Sequence, residues 1–157
     1  MFRIWIIALL ICASPVLSQS NEQGLVYGLG GTMSGPYRLQ MSWDGRYIVD
    51  TMEWVSSERK PVHYAGRLNH RKLKQLIALR DAAMKNGLET QQCIDERRLR
   101  DADPRVPPPQ PQSIDFLPTL TVAIDGRYLM APNLDYCWSS AANALVKAAQ
   151  IMAAPSR

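Results

Sequence analysis

Residues 37–49 read YRLQMSWDGRYIV, and the tetrapeptide at their centre, Asp44-Gly45-Arg46-Tyr47, returns as Asp125-Gly126-Arg127-Tyr128 inside residues 119–130, TLTVAIDGRYLM. Ahead of the first copy, Tyr37, Leu39, Met41 and Trp43 alternate with Arg38, Gln40 and Ser42; ahead of the second, Leu120, Val122 and Ile124 alternate with Thr119, Thr121 and Ala123. A period of two is that of a half-buried strand, so each copy reads as a strand running into a tight turn and back. A two-residue Asp-Gly loop would set Leu39 against Asp50. A three-residue loop, Trp43-Asp44-Gly45 with a left-handed glycine, sets Met41 against Tyr47 and Leu39 against Val49, so the apolar faces agree. The same choice at the second copy sets Val122 against Tyr128 and Leu120 against Met130. A type I turn with a glycine bulge is expected at both places.

Each hairpin leads towards a helix. Asn69 is the expected N-cap of the first, with Leu68 and Leu73 at the positions of a hydrophobic staple, and Asn86-Gly87 is a strong stop. Its buried stripe is Leu73, Leu76, Ile77, Ala83 and Met84. Ser139 or Ser140 caps the second helix, whose stripe is read as Ala141, Ala144, Leu145, Ala148 and Ile151 or Met152. The expected fold is α+β: two strand-strand-helix repeats forming one antiparallel sheet with both helices packed on one face. Gly28, Gly30, Gly31 and Gly35 do not make a phosphate cradle, because Gly35 is followed by Pro36 and a strand instead of Lys-Ser/Thr and a helix. They are read as an irregular edge strand or a bulged approach to the sheet.

Outside these units the chain begins with Arg3, an apolar run over residues 4–11, and Pro15 ahead of Val16-Leu17-Ser18. That is the layout of a secretory signal over residues 1–18. The run is too short to span a bilayer, so no stable membrane span is expected once the signal is removed. Lipid attachment at Cys12 is the alternative, although Ile11 stands where such processing takes a small residue. Residues 19–157 then form one domain, periplasmic or secreted. Setting Arg3 aside leaves 17 basic against 14 acidic residues, a charge too mild to imply nucleic acid. Cys93 and Cys137 are the remaining thiols, and in an oxidising compartment such a pair is expected to join. A redox-active Cys137 ahead of a helix is the competing reading.

With 46% hydrophobic and 20% charged residues the chain is built to fold around a core. Two His and one Cys pair leave no Cys/His set for a zinc or iron–sulfur centre, and no metal or cofactor is expected. His63 and His70 lack a locally spaced nucleophile and acid, and Asp115, Asp125 and Asp135 have turn or loop duties, so no catalytic constellation is found and the protein is not expected to be an enzyme. Arg67, His70, Arg71, Lys72 and Lys74 put positive charge on the first turn of a helix, where the dipole disfavours it. This basic patch is either a solvated face or a surface for an anionic partner. Residues 94–118 are read as one long loop, charged at first and Pro-rich after Pro104, either a solvated linker or a binding loop. Trp43, Trp54 and Trp138 are core residues or, if exposed, interface anchors.

The Gly30-Gly31 and Gly35 cluster leading into a strand, a Leu-rich helix ending near Leu88, a variable loop, the hairpin at residues 119–130 and a last helix ending in Ile151-Met152 together resemble the emfourin-type small protease inhibitors and related exported domains, over residues 26–153. The resemblance implies a binding domain that occludes a protease cleft. The signal, the Cys93–Cys137 pair and the Pro-rich insertion depart from that pattern. The expected function is a small non-enzymatic protein-binding domain with Gly30, Gly31, Gly35, Arg97, Arg98 and Arg105 at the partner surface. An accessory subunit of a cell-envelope complex is the alternative, and an enzyme of unrecognised type a further one.

Overall fold

A computed structural model describes residues 23–30, 36–55, 57–103, 105 and 117–154. The signal segment, Gly31, Gly35 and the run from Pro107 to Pro111 lie outside them. The elements in chain order are β1 (Gly24–Gly30), β2 (Tyr37–Ser42), β3 (Arg46–Val55), β4 (Glu58–Arg67), α1 (His70–Asn86), α2 (Gln91–Ala102), β5 (Leu117–Ile124), β6 (Arg127–Met130) and α3 (Ser140–Ala153). The six strands form one antiparallel sheet in the order β4-β3-β2-β1-β5-β6. The α+β class is as the sequence predicts, and β1 and β4 enlarge the two expected hairpins. β1 is a regular central strand between β2 and β5, not an irregular edge. A Cβ on Gly28 would stand 2.8 Å from the Thr119 hydroxyl, so the glycine there serves close packing of β1 against β5.

Alternation sorts the side chains. Leu25 and Tyr27 of β1, Leu39 and Met41 of β2, Val49 of β3, and Leu120 and Val122 of β5 point to one face and form a single core with Leu76 and Ala83 of α1 and Ala142, Leu145, Val146, Ala149 and Ala153 of α3. Both helices therefore cover the same face. The stripe of α3 is rotated from the one expected. Leu145 belongs to both, but Ala142, Val146 and Ala149 are buried while Ala144 is exposed and Ile151 is 65% exposed. A helix that is apolar nearly all round offers two stripes of equal period, and packing chooses between them.

The caps follow the sequence. The Asn69 side chain accepts from the Lys72 N–H at 2.9 Å, Gly87 ends α1 at φ 81°, and Ser139 Oγ accepts from the Ala142 N–H at 3.1 Å. Leu68 and Leu73 both join the core at the α1 start.

Two further expectations are corrected. Residues 91–102 are helical, so the helix takes in the start of the loop expected over residues 94–118. Thr90 Oγ1 accepts from the Cys93 N–H, and Gln91–Asp95 and Gln92–Glu96 side chains meet at 2.8 and 2.9 Å across one turn. Good helix formers with i,i+4 partners sustain a helix that buries little. Its low hydropathy made it read as linker. The second hairpin also differs: the pairs are Val122↔Leu129 and Ala123↔Tyr128, not Val122 with Tyr128. Asp125 at φ 48° and Gly126 at φ 74° make a two-residue loop of the primed type. At the first copy the expected loop is present: Gly45 lies at φ 91°, its N–H bonds the Ser42 carbonyl at 2.9 Å, and Met41 faces Tyr47.

The Cys93–Cys137 disulfide, with Cα atoms 5.6 Å apart, ties α2 to the short turn Asp135–Cys137 ahead of α3. Backbone bonds from the Thr90 N–H to Cys137 (2.8 Å) and from the Ser139 N–H to Leu88 (3.0 Å) flank it. Among the described residues no helix is long and apolar enough to cross a membrane.

Candidate functional site

Because β1 runs antiparallel to both β2 and β5, its first residue lies beside the last residues of each: Gly24 pairs with Ser42 on one side and Ala123 on the other. The two Asp-Gly-Arg-Tyr turns are thereby brought to the same end of the sheet. Between them, on the face the helices leave open, is a groove of about 620 Å³. Its floor is Gly24, Val26, Gln40, Thr121 and Ala123; Asp44 and Arg46 of the first turn and Tyr128 beyond the second form its rims. A Cβ on Gly24 would fall 2.6 Å from the Met41 carbonyl oxygen, so only glycine lets β1 start this close to β2.

Trp43 closes the end of the groove. Its indole N–H donates to the Ala123 carbonyl at 2.6 Å, passing the start of β1 to join the first turn to β5. The Arg80 guanidinium of α1 lies 5.2 Å from the indole centroid, a stacking that holds the ring in place. Trp138 is buried and donates to the Pro132 carbonyl at 2.7 Å. Both are structural; the side chain of Trp54 lies outside the described residues.

The rim is electrically neutral. Asp44 accepts from the backbone N–H of Arg46 at 3.1 Å and from its Nε at 2.7 Å. The backbone N–H, then the Arg46 side chain and the more distant Arg67 charge, hold the Asp44 carboxyl below its ordinary value. Apolar floor, amide and hydroxyl groups, and an aromatic wall suit a neutral, extended ligand such as a peptide segment. The carboxylate in its lining, Asp44, is engaged by Arg46.

Those sequence-predicted site residues that are described do not converge here, Gly31 and Gly35 lying outside the described residues. Gly30 is exposed at the far end of β1. Arg97 pairs with Glu89 at 2.6 Å, Arg98 with Asp95 at 3.5 Å and Arg105 with Asp103 at 2.9 Å. The Arg105 guanidinium and backbone N–H hold the Asp103 carboxyl below its ordinary value. These arginines serve neighbouring carboxylates, and Arg97 and Arg98 sit on α2 instead of a loop. The basic patch divides: Arg67 and Lys72 border a second hollow of about 420 Å³ with Tyr47, Tyr64 and Met152, while His70, Arg71 and Lys74 stand exposed on α1.

One pairing escaped the sequence. His63 Nδ1 lies 2.7 Å from Asp50 Oδ1, directly across β3 and β4, with Arg38 opposite Asp50 on β2. Thirteen residues of separation hide such a pair until the register of β4 is known. Both side chains are more than half exposed and border neither hollow. Among the described residues no group of three His, Cys, Asp or Glu could hold a metal. Tyr128, Gln40 and Thr121 were also missed; a two-residue turn at Asp125-Gly126 is the signal that would have turned Tyr128 to the open face. No protein family, curated protein or solved structure was found to match this chain.

Proposed function

We propose that this chain is a small exported, non-enzymatic protein-binding domain that takes an extended segment of a protein partner into the groove on its open sheet face. The observation that carries the reading is the one-sided sheet: six strands with both packed helices on one face, and on the other a neutral groove walled by Tyr128, which is 59% exposed. Aromatic side chains of this kind are the usual anchors of protein interfaces. The disulfide between Cys93 and Cys137 fits an oxidising location outside the cytoplasm. Protease inhibition is the form of binding that the resemblance to emfourin-type inhibitors implies, with the groove end of the domain set against the enzyme cleft.

The test is capture of partners from an extract of the producing cell's envelope, beside inhibition assays on a panel of proteases. Thr121→Arg fills the groove floor from the open face and is expected to abolish retention or inhibition, whereas Lys147→Ala, exposed on α3, leaves it intact. Retention insensitive to Thr121→Arg, or no partner and no inhibition at micromolar concentration, would sink the reading.

A further inference from the structure

The sheet has two edges, and the sequence treats them differently. β4 opens with Glu58-Arg59-Lys60-Pro61, charges and a proline of the kind that keeps a further strand away. β6 carries Tyr128, Leu129 and Met130 after Arg127. The bond from the Ala131 N–H to the Leu120 carbonyl, 2.9 Å, sets the phase of the ladder. Arg127, Leu129 and Ala131 direct their backbone groups to β5, so those of Tyr128 and Met130 point away from the sheet. The side chains of the same two residues are 59% and 77% exposed.

We propose that β6 is a self-association edge, where a second copy of this chain lays its own β6 antiparallel about a two-fold axis through Leu129 and joins two six-stranded sheets into one. The register is self-complementary. Tyr128 of each copy faces Met130 of the other, giving four backbone hydrogen bonds and two sulfur–aromatic contacts, and Leu129 faces Leu129. Arg127 then faces Ala131, so no charge meets a like charge in the paired strands. The neighbouring registers are poorer. Centring on Met130 sets Tyr128 against Pro132, which has no N–H, and centring on Tyr128 sets Met130 against Gly126 in the turn. A heterologous strand would find the same four bonds, but only a second copy is matched at every position by the sequence of β6 itself. The proposal does not rest on the groove's having a protein ligand.

Two four-residue edges bury less than a standard interface, so the dimer is transient, with a dissociation constant of about 10 to 100 µM. Sedimentation of the purified protein from about 5 to about 500 µM should show monomer passing to dimer. Over the same range, amide exchange at Tyr128 and Met130 should slow about tenfold while Leu129, already bonded to β5, does not change. Met130→Pro removes an N–H that β5 does not use and should leave the protein monomeric throughout. A wild-type protein that stays monomeric, or a dimer in which those two amides keep their exchange rates, overturns the proposal; so does a folded Met130→Pro protein that still dimerises. The wild-type exchange measurement decides the matter if that variant fails to fold.

Discussion

Tyr47 and Tyr128 hold the same place in the repeated tetrapeptide and stand on opposite faces of the sheet. Tyr47 faces Met41 and packs with the core under the helices; Tyr128 faces Ala123 and walls the open groove. The cause is one residue of loop. Gly45 adds a bulge position at the first turn that the second lacks, and since strand side chains alternate, one residue reverses every side chain that follows. A repeat that looks like duplication of structure thus yields one inward hairpin and one that offers Tyr128 and Met130 to solvent.

The two turns should answer differently to the same substitution. Gly45→Ala forces a Cβ into φ 91° beside Leu68 and Leu73, and is expected to cost about 1–3 kcal/mol in urea unfolding. Asp125→Asn keeps a residue suited to positive φ and should change stability by no more than about 0.5 kcal/mol. Asp125→Val, β-branched at φ 48°, should cost over about 1 kcal/mol. Equal effects of Asn and Val would show that the second turn is not of the primed type.

The Cys93–Cys137 bridge closes 44 residues of sequence between α2 and the start of α3. In the chain-entropy view it contributes about 4 kcal/mol. Reduction, or replacement of both cysteines by Ala, is expected to lower the melting temperature by ten degrees or so. The β-sheet signature in circular dichroism below the melt should persist, because the core under α1 and α3 contains neither cysteine. An unchanged melt would mean the thiols are not joined in solution.

Sequence pattern reached the first hairpin, the caps at Asn69 and Ser139 and the Gly87 stop because each is decided by neighbours within a few positions, and the cysteine pair because just two thiols stand beyond residue 18. It missed where alternatives were equal locally. The second hairpin has an apolar residue on either side of each register, so Leu129 and Tyr128 competed for the inward place and packing against the core decides for Leu129. The stripe of α3 was ambiguous for the same reason, and α2 looked like a linker because its stability lies in polar i,i+4 pairs. The groove was illegible, being assembled from β1, β2 and β5 by strand order alone.

α2 buries little beyond Cys93, so its cap should matter more to local opening than to the global fold. Thr90→Ala removes the oxygen that accepts from the Cys93 N–H and is expected to weaken the helix by about 1 kcal/mol. Amide exchange in residues 92–99 should then quicken about fivefold, with exchange in α1 unaffected. Uniform quickening across the chain would show that α2 opens only with the whole domain.

Asp44 gives the stability a definite sign of response to acid. Its carboxyl is held below the ordinary value in the folded chain, chiefly by the Arg46 backbone N–H, so the unfolded chain binds the proton first as pH falls. The contribution is complete above the unfolded value near 3.8 and is lost as pH drops through the folded one. Urea midpoints of the wild type and Asp44→Asn should therefore differ at pH 5 and converge towards pH 2. A gap that widens on acidification would place the Asp44 proton on the wrong side of the transition.

Binding energy at such a groove should concentrate at Tyr128, because it combines exposed aromatic area with a fixed strand position beside Thr121 and Ala123. Tyr128→Ala is expected to weaken a groove-bound peptide or protein by about 2 kcal/mol, roughly 30-fold, as central aromatic anchors do. Tyr128→Phe should cost less than about fivefold if the ring supplies most of the contact and the hydroxyl little. Folding is the necessary control. Tyr128 faces away from the core, so the melting temperature of either variant should stay within a few degrees of wild type, and titration calorimetry against the captured partner can be read as affinity alone. An Ala variant that binds as tightly as wild type would move the binding surface away from the groove. The exposed basic turn of α1, where His70, Arg71 and Lys74 lie, would then be the next surface to vary.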